Sequence, residues 1–125
     1  MQRNDQPERH SAFGRESRLR NHAQFSQVRE GGKSHAGRFC IVNVLTPSPD
    51  GENRAGFSIS KRYSKLAVER NRARRLFREA YRCVYEKCSR CWVVFVPRRA
   101  MLNARLQDVL PEVEAAFDCL PEENQ

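Results

Sequence analysis

Aspartate and histidine are scarce in this chain of 125 residues. The aspartates are Asp5, Asp50, Asp108 and Asp118, far apart in sequence, and the 3 histidines all lie in the first third of the chain. Metal-dependent hydrolysis needs clustered carboxylates that hold the metal ions, and acid–base catalysis uses histidine most often. We therefore expect no catalytic set made from the chain's own side chains.

Long apolar segments are also absent. No run of apolar residues approaches the roughly 20 that cross a membrane, and the polar N-terminal residues include no apolar signal region. These absences favour a cytoplasmic protein with no membrane partner. A chain of 125 residues has the length of one domain and can bury a hydrophobic core.

Acidic residues are outnumbered, since 15 Asp and Glu face 23 Lys and Arg and leave a net charge of +8. This excess predicts attraction to nucleic acid or to another anionic surface, and it carries no information about fold. Much of the excess lies in residues 61–82, where only Glu69 and Glu79 oppose nine basic side chains.

That basic segment is predicted to be a helix from about Ala67 onward, with Ser64 as a cap near its start. Apolar side chains recur at steps of three and four and would form one buried stripe: Ala73, Leu76, Phe77, Ala80 and Val84. The opposite side would present Asn71, Arg72, Arg74, Arg75, Arg78 and Arg82. A solvated face is the simpler interpretation, but such a face usually carries acidic partners four residues away. Few are present, and arginine suits phosphate oxygens, so contact with nucleic acid is favoured.

Strands are predicted on both sides of this helix, at residues 38–45, 55–61 and 92–96. In the second strand, Phe57 and Ile59 point to one face while Ser58 and Ser60 point to the other. Small hydroxyl side chains on a sheet face leave room for a phosphodiester backbone, although solvent-facing filler is an equal alternative. The third strand is apolar throughout, which predicts a central position in the sheet, and Pro97 closes it.

Two further helices are predicted near the ends of the chain. The first contains Phe25, with Asn21 as its N-cap and Gly31-Gly32 at its end. The last is amphipathic, and its apolar side is expected to cover the sheet. Pro111 lies inside this last pattern and is expected to kink or split the helix.

Cysteine is more frequent than in most cytoplasmic domains of this size, with 5 residues. Cys88 and Cys91 have the spacing of half a zinc site, but a structural zinc usually needs four ligands. No second pair of this spacing and no nearby histidine complete such a site. Reduced thiols, with neither zinc nor a disulfide framework, are therefore expected.

The order of the basic residues in the predicted helix is itself informative. Arg70-Asn71-Arg72 is followed by Arg74-Arg75 and Arg78-Glu79, and it is preceded by a strand-like stretch, Gly56–Arg62, that ends in a basic pair. This arrangement resembles the Arg-Asn-Arg signature of the bacterial ribonuclease P protein family. The resemblance runs from about residue 18 to about residue 117, nearly the whole chain.

The resemblance implies an α/β fold of the α+β type. The family has a two-layer sandwich with a sheet of about four strands and three helices in the order αβββαβα, like the second domain of ribosomal protein S5. Its crossover through the basic helix is left-handed. One RNA-binding domain would span residues 18–118, between a disordered arm at residues 1–17 and a frayed tail at residues 119–125.

The resemblance also implies a function. Ribonuclease P is a ribonucleoprotein endonuclease that removes the 5′ leader from precursor tRNA, and its RNA subunit carries the catalysis. The chain would then have no catalytic residue, and Mg²⁺ would be held mainly by the RNA. The positions that match contacts to the catalytic RNA are Lys61, Arg62, Lys65, Arg70, Asn71, Arg72, Arg74, Arg75 and Arg78. Replacing Arg70 and Arg72 by Ala is expected to weaken assembly with little loss of fold.

A second set of positions matches the cleft in which the family holds the single-stranded leader: Phe25, Arg29, Asn43, Ser58 and Ser60. Phe25 would stack on a base, although a core anchor is an equal alternative. Arg29 stands where many relatives carry an aromatic residue, and Asn43 stands where they often carry tyrosine. Charge and amide contacts would therefore replace part of the stacking.

Other classes of protein remain open. A non-catalytic RNA-binding or ribosome-associated protein would use the same charge pattern and would not stimulate cleavage of precursor tRNA. A helix-based DNA-binding protein would need a helix-turn-helix pair, which the strands flanking the basic helix oppose. A self-sufficient nuclease is the weakest alternative because clustered carboxylates are lacking.

Overall fold

The computed structural model describes residues 18–88 and 90–118. Within these ranges the chain forms three α-helices and four strands in the predicted order αβββαβα. The helices are α1 (His22–Gly31), α2 (Ala67–Val84) and α3 (Leu106–Asp118); the strands are β1 (Lys33–Ala36), β2 (Cys40–Leu45), β3 (Arg54–Phe57) and β4 (Trp92–Pro97). Short 3₁₀ helices follow α2 and β4, at Tyr85–Lys87 and Arg99–Asn103. The arm predicted at residues 1–17 and the tail predicted at residues 119–125 lie outside the described residues.

The strands form a mixed sheet in the order β1-β2-β4-β3. Strand β4 lies inside the sheet, as its apolar sequence predicts, and it runs antiparallel to β2 and parallel to β3. In the resulting register, Val94 lies between Asn43 of β2 and Gly56 of β3. The chain therefore passes from β3 through α2 to β4 as a parallel β-α-β crossover.

The main core lies between the sheet and the pair of helices α2 and α3. Phe77 of α2 stacks on Phe95 of β4 with ring centroids 5.1 Å apart, and Phe57 of β3 lies 5.8 Å from Phe95. Val109 and Val113 of α3 are fully buried in the same cluster. Aromatic side chains bury large apolar areas, so this group anchors α2 to the sheet.

The opposite face of the sheet is partly covered by α1. Val28 of α1 packs with Leu19, Trp92 and Val94 in a second, smaller cluster. Because neighbouring residues of a strand point to opposite faces, Trp92 and Val94 pack in this cluster while Val93 and Phe95 pack in the main core. The short helix therefore rests on the side of the sheet away from the basic helix.

Helix α1 begins and ends where the sequence predicts. Asn21 Oδ1 accepts a hydrogen bond from Gln24 N at 2.9 Å, and Gln24 Oε1 accepts one from Asn21 N at 3.3 Å. This reciprocal pair is a capping box, which satisfies backbone donors at the start of a helix. Gly32 follows the last helical residue and donates its N–H to Val28 O.

Two predicted strands have different bounds in the structure, and a third strand is not predicted from the residue pattern. The residue pattern does not predict strand β1, because its sequence Lys-Ser-His-Ala is polar and only its antiparallel pairing with β2 makes it a strand. The strand predicted at residues 38–45 begins at Cys40, after a turn in which Gly37 N bonds to Cys40 O. The strand predicted at residues 55–61 is Arg54–Phe57. It ends early because its partner β4 ends at Pro97, which has no N–H to continue the ladder.

Pro111 lies inside α3, and the helix is continuous through it from Leu106 to Asp118. The split predicted there does not occur. Pro111 and Gln107, whose carbonyl loses its usual donor, are both exposed, so water can satisfy that carbonyl. The apolar side of α3 packs on α2 and β2, as predicted.

A carboxylate on α3 holds the turn between β1 and β2. Glu112 accepts hydrogen bonds from the backbone N–H groups of Arg38 at 2.8 Å, Phe39 at 3.1 Å and Cys40 at 3.2 Å. A Cβ on Gly37 would clash with this carboxylate, so a side chain at this position would displace Glu112 from the turn. The Cys40 thiol lies 3.6 Å from Glu112 Oε1, and burial together with this carboxylate raises the Cys40 pKa to about 12.

A second carboxylate fixes the loop between β2 and β3. Asp50 accepts hydrogen bonds from Trp92 Nε1 at 2.9 Å, from Glu52 N at 3.0 Å and from Arg54 Nε at 2.6 Å. Burial raises the pKa of Asp50, but the hydrogen bonds from Arg54, Glu52 and Trp92 outweigh it and leave the pKa below its usual value. The chain's one tryptophan is thereby tied to this loop.

The cysteines near the end of α2 are mostly enclosed. Cys88 and Cys91 are buried, Cys83 is exposed, and Cys83 and Cys88 are free thiols. Burial, with Cys91 adding to it, raises the Cys88 pKa to about 12. Asn53 links Cys88 to Cys91, because its Nδ2 donates to Cys88 O and its Oδ1 accepts from Cys91 N. Among residues 18–88 and 90–118, no three His, Cys, Asp or Glu side chains gather in a metal-binding group.

Candidate nucleic-acid interface

Helix α2 has one buried side and one charged side. Its buried residues are Ala73, Phe77, Ala80, Tyr81 and Val84, while Leu76 is half-buried. The predicted apolar stripe is therefore confirmed, and Tyr81 extends it. Tyr81 meets Phe95 edge-on at 5.8 Å. Tyr81 is not predicted to be buried because its side chain carries a hydroxyl and the pattern counts only apolar residues. Its position one turn after Phe77 nevertheless places it on the buried side of the helix.

The start of α2 differs from the prediction. Leu66, not Ser64, is the N-cap residue, and it makes no side-chain cap. The Ser64 hydroxyl accepts a hydrogen bond from Leu66 N at 3.0 Å and donates one to the Glu69 carboxylate. Arg70 Nη1 donates to Ser64 O at 2.8 Å. Ser64 lies two residues before the N-cap, and its bonds to Leu66, Glu69 and Arg70 stabilise the first turn of α2.

Residues of the Arg-Asn-Arg signature make hydrogen bonds within the protein. Arg72 is half-buried and donates to two backbone carbonyls, Leu102 O at 3.3 Å and Ala104 O at shorter range. Asn71 is exposed, and its Oδ1 accepts from Arg74 Nη1 at 3.1 Å. Each guanidinium has five N–H donors, so one that bonds to the protein keeps donors for a second partner.

The rest of the charged side surrounds a shallow concavity of about 470 Å³ on α2. Its lining residues are Arg72, Arg75, Leu76, Arg78, Glu79 and Arg82. Arg75 is exposed, and Arg82 forms an ion pair with Glu79 at 2.6 Å. Lys61, Arg62 and Lys65, which precede the helix, are also exposed. The basic helix surface, meaning these three residues with the charged side of α2, carries a positive charge that its few acidic residues do not balance.

A second basic pocket lies where the parallel strands β3 and β4 end. It has a volume of about 270 Å³ and is lined by Ser58, Ser60, Arg62, Tyr63, Val96, Pro97 and Arg99. The pocket brings together two predicted leader-binding serines with Arg62 from the predicted RNA-binding set. Neither Tyr63 nor Arg99 is among the residues predicted to bind RNA or the leader, although the basic pair Arg98-Arg99 is expected to extend the basic surface beyond the strand end. The signal was available, because the carboxyl ends of parallel strands meet at one edge and Arg99 closely follows such a strand.

The other predicted leader-binding residues lie apart from this strand-end pocket. Phe25 is half-buried, and its ring covers Gly56, where an added Cβ would lie 2.6 Å from Phe25 Cζ. Phe25 also packs against the smaller core cluster, so it is an anchor of α1 whatever else it does. Asn43 lies in register with Gly56 across β4. Arg29 is exposed on α1, where its Nη2 donates to Ser26 Oγ at 3.2 Å.

None of the helices in the described parts of the chain is both long and apolar enough to cross a bilayer.

The fold and these surfaces define a small basic α/β protein with a surface suited to a polyanion. Residues 13–121 match the family model described as ribonuclease P. The chain is 35% identical over 99 residues to the ribonuclease P protein component of Clostridioides difficile strain 630, covering 78% of this chain and 85% of that protein. It is 32% identical over 102 residues to the ribonuclease P protein component of Symbiobacterium thermophilum, covering 81% and 88%. The chain belongs to the ribonuclease P protein family.

Solved structures of that family share the fold. The ribonuclease P protein of Thermotoga maritima superposes with a TM-score of 0.71 at 19% identity, covering 84% of this chain and 98% of that one. At this identity the match concerns the fold. The family and the α+β architecture predicted from the Arg-Asn-Arg segment are therefore both confirmed.

Proposed function

We propose that this chain is the protein subunit of a cytoplasmic ribonuclease P and assists endonucleolytic removal of the 5′ leader from precursor tRNA. The observation that carries the proposal is the family match over residues 13–121, which includes the whole basic helix surface. In this proposal the partners are a catalytic RNA and precursor tRNA. The chain contributes binding and positioning, and the RNA performs the hydrolysis.

The basic helix surface is assigned to the catalytic RNA. Arginine and lysine side chains neutralise phosphates and release counterions, so each contact makes binding more sensitive to salt. Arg75 is exposed and does not share the backbone contacts that hold Arg72. Its guanidinium is therefore the better suited of the two to bind a phosphate. Asn71 holds Arg74 through its Oδ1, which directs one guanidinium along the helix surface.

The leader is assigned to the side of the sheet that carries α1 and to the strand-end pocket. Arg62 and Arg99 supply positive charge, Ser58 and Ser60 supply hydroxyl donors, and Tyr63 supplies a ring. Single-stranded nucleic acid binds to this combination of cationic groove and aromatic ring without needing a particular sequence. Asn43, Arg29 and the exposed edge of Phe25 would extend the track across the sheet.

Mg²⁺ would supply the metal-assisted activation of water in this reaction. The described residues offer no group of three His, Cys, Asp or Glu side chains for a metal ion. The proposal therefore assigns Mg²⁺ to the RNA and gives this chain no metal-dependent step. Positive charge from the protein beside the cleavage junction would lower the repulsion between the two RNAs, which favours assembly at low Mg²⁺.

Cleavage of a precursor tRNA by a bacterial ribonuclease P RNA at low Mg²⁺ tests this function. We expect the protein to increase the cleavage rate and to leave a correct mature 5′ end. The controls are the RNA alone and the protein alone. Binding to the RNA without faster cleavage would support a non-catalytic RNA-binding protein instead, and cleavage by the protein alone would establish a nuclease.

Replacing Phe25 by Ala tests the leader assignment. We expect the assembled enzyme to lose affinity for a precursor with a leader by about tenfold, because stacking of one base contributes roughly 1–3 kcal/mol. The measurement is the dissociation constant for precursor and for mature tRNA with the same enzyme.

Mature tRNA is the control in that experiment because it lacks the leader. Phe25 also anchors α1, so part of any loss will reflect the fold, and that part affects both substrates. An equal loss for precursor and mature tRNA would assign Phe25 to the core alone.

A further inference from the structure

Two large apolar side chains stand in solvent at the start of α2. Leu66 is 57% exposed and Val68 is 67% exposed. Within residues 18–88 and 90–118, no other large hydrophobic side chain is exposed to this degree. Lys65 and Ala67 beside them are exposed as well. Scattered exposed apolar residues are ordinary, and larger exposed apolar patches mark interaction sites. This pair is distinguished by its place, because the two residues lie two positions apart within the basic helix surface.

The turn that presents this pair is held in place. Ser64 Oγ accepts from Leu66 N at 3.0 Å and bonds to the Glu69 carboxylate, and Arg70 Nη1 donates to Ser64 O at 2.8 Å. The backbone N–H groups of Glu69 and Arg70 both bond to Leu66 O, at 3.1 and 3.2 Å. The side chains of Leu66 and Val68 are thus presented on an ordered turn, which lowers the entropy lost when a partner covers them.

The charges around the pair select the kind of partner. Lys61, Arg62 and Lys65 are all exposed close to Leu66 in sequence. A second copy of this chain would bring the same positive charges to the contact and would be repelled. An RNA offers phosphates to the lysines and arginine, and its unpaired bases and riboses offer apolar faces to aliphatic side chains.

We propose that Leu66 and Val68 pack against unpaired bases or riboses of the catalytic RNA, and that this contact adds salt-independent affinity to the phosphate contacts of the basic helix surface. The inference rests on the proposed function, because the partner is the RNA of that assembly. It also assigns the first turn of α2 to an unpaired segment of that RNA, since a regular RNA helix buries its base faces by stacking.

Binding of the ribonuclease P RNA at several salt concentrations separates the two kinds of contact. The variant Leu66→Ala with Val68→Ala is expected to bind about tenfold more weakly at every salt concentration, since it removes apolar area and no charge. Its slope of log affinity against log salt should equal that of the wild type. The matched variant Arg75→Ala should instead flatten the slope by about one phosphate contact.

A conservative variant and a folding measurement complete the test. Leu66→Met with Val68→Ile keeps the apolar area and should bind as the wild type does. Because both side chains are exposed, the alanine variant should unfold at the wild-type denaturant concentration. Wild-type binding by the folded alanine variant would overturn the inference alone. Failure of the wild-type protein to bind the RNA would overturn the proposed function with it. If the alanine variant lost self-association and bound RNA as the wild type does, Leu66 and Val68 would instead form a contact between two copies of the chain, and the inference would be wrong.

Discussion

Replacing Glu112 by Ala is expected to lower the free energy of unfolding by about 3 kcal/mol. Three backbone N–H groups, at Arg38, Phe39 and Cys40, donate to this one carboxylate. Hydrogen bonds to a charged group contribute more than neutral ones, and the turn between β1 and β2 would lose its tie to α3. Urea unfolding followed by the fluorescence of Trp92, the chain's one tryptophan, measures the loss.

The same helix provides a control for that experiment. Glu114 is also half-buried on α3, and Glu114→Ala is expected to change stability by no more than about 0.5 kcal/mol. Glu112→Gln keeps one carbonyl oxygen and should fall between the two. If Glu112→Ala and Glu114→Ala destabilise the protein equally, the carboxylate does not hold the turn.

Arg72→Ala is expected to lower the free energy of unfolding by about 2 kcal/mol, whereas Arg75→Ala should leave it unchanged. Arg72 donates to Leu102 O and Ala104 O, which connects α2 to the segment before α3, while Arg75 is exposed. Both variants should bind the catalytic RNA more weakly. Only Arg75→Ala should do so with wild-type stability, and denaturant unfolding beside RNA titration measures both properties.

Arg72→Lys provides the control for geometry. Lysine keeps the charge but has no planar fork that reaches two carbonyls, so we expect it to recover RNA affinity more than stability. Equal stability of the Arg72→Ala and wild-type proteins would show that the two carbonyl contacts contribute nothing. The fold would then be insensitive to Arg72, as the sequence alone predicts for changes at Arg70 and Arg72.

Helix α2 shows why much of this protein can be predicted from local sequence. Its apolar stripe repeats with the period of the helix, so the buried side follows from residue spacing alone. The absence of Gly and Pro allows this helix to continue without a break, and Asn21 with Gly32 marks the ends of α1. The family signature lies on this same helix, which is why the order of the amino acids is enough to indicate the family.

The sheet shows where local pattern fails. Strand β1 is polar, and it is a strand because β2 lies beside it. Strand β3 stops at Phe57 because its neighbour ends in proline, a fact about another part of the chain. Pairing between strands is a long-range contact, so residue patterns within one strand do not contain it.

The candidate sites divide along the same line. The amino-acid order alone specifies which residues are basic, that they lie on one side of α2, and which family the chain belongs to. Only the folded chain separates Arg72, which bonds to backbone carbonyls, from Arg75, which faces solvent. Only the fold brings Arg99 beside Ser58 in one pocket. Charge and periodicity are properties of neighbouring residues, whereas burial and hydrogen-bond partners depend on segments that meet when the chain folds.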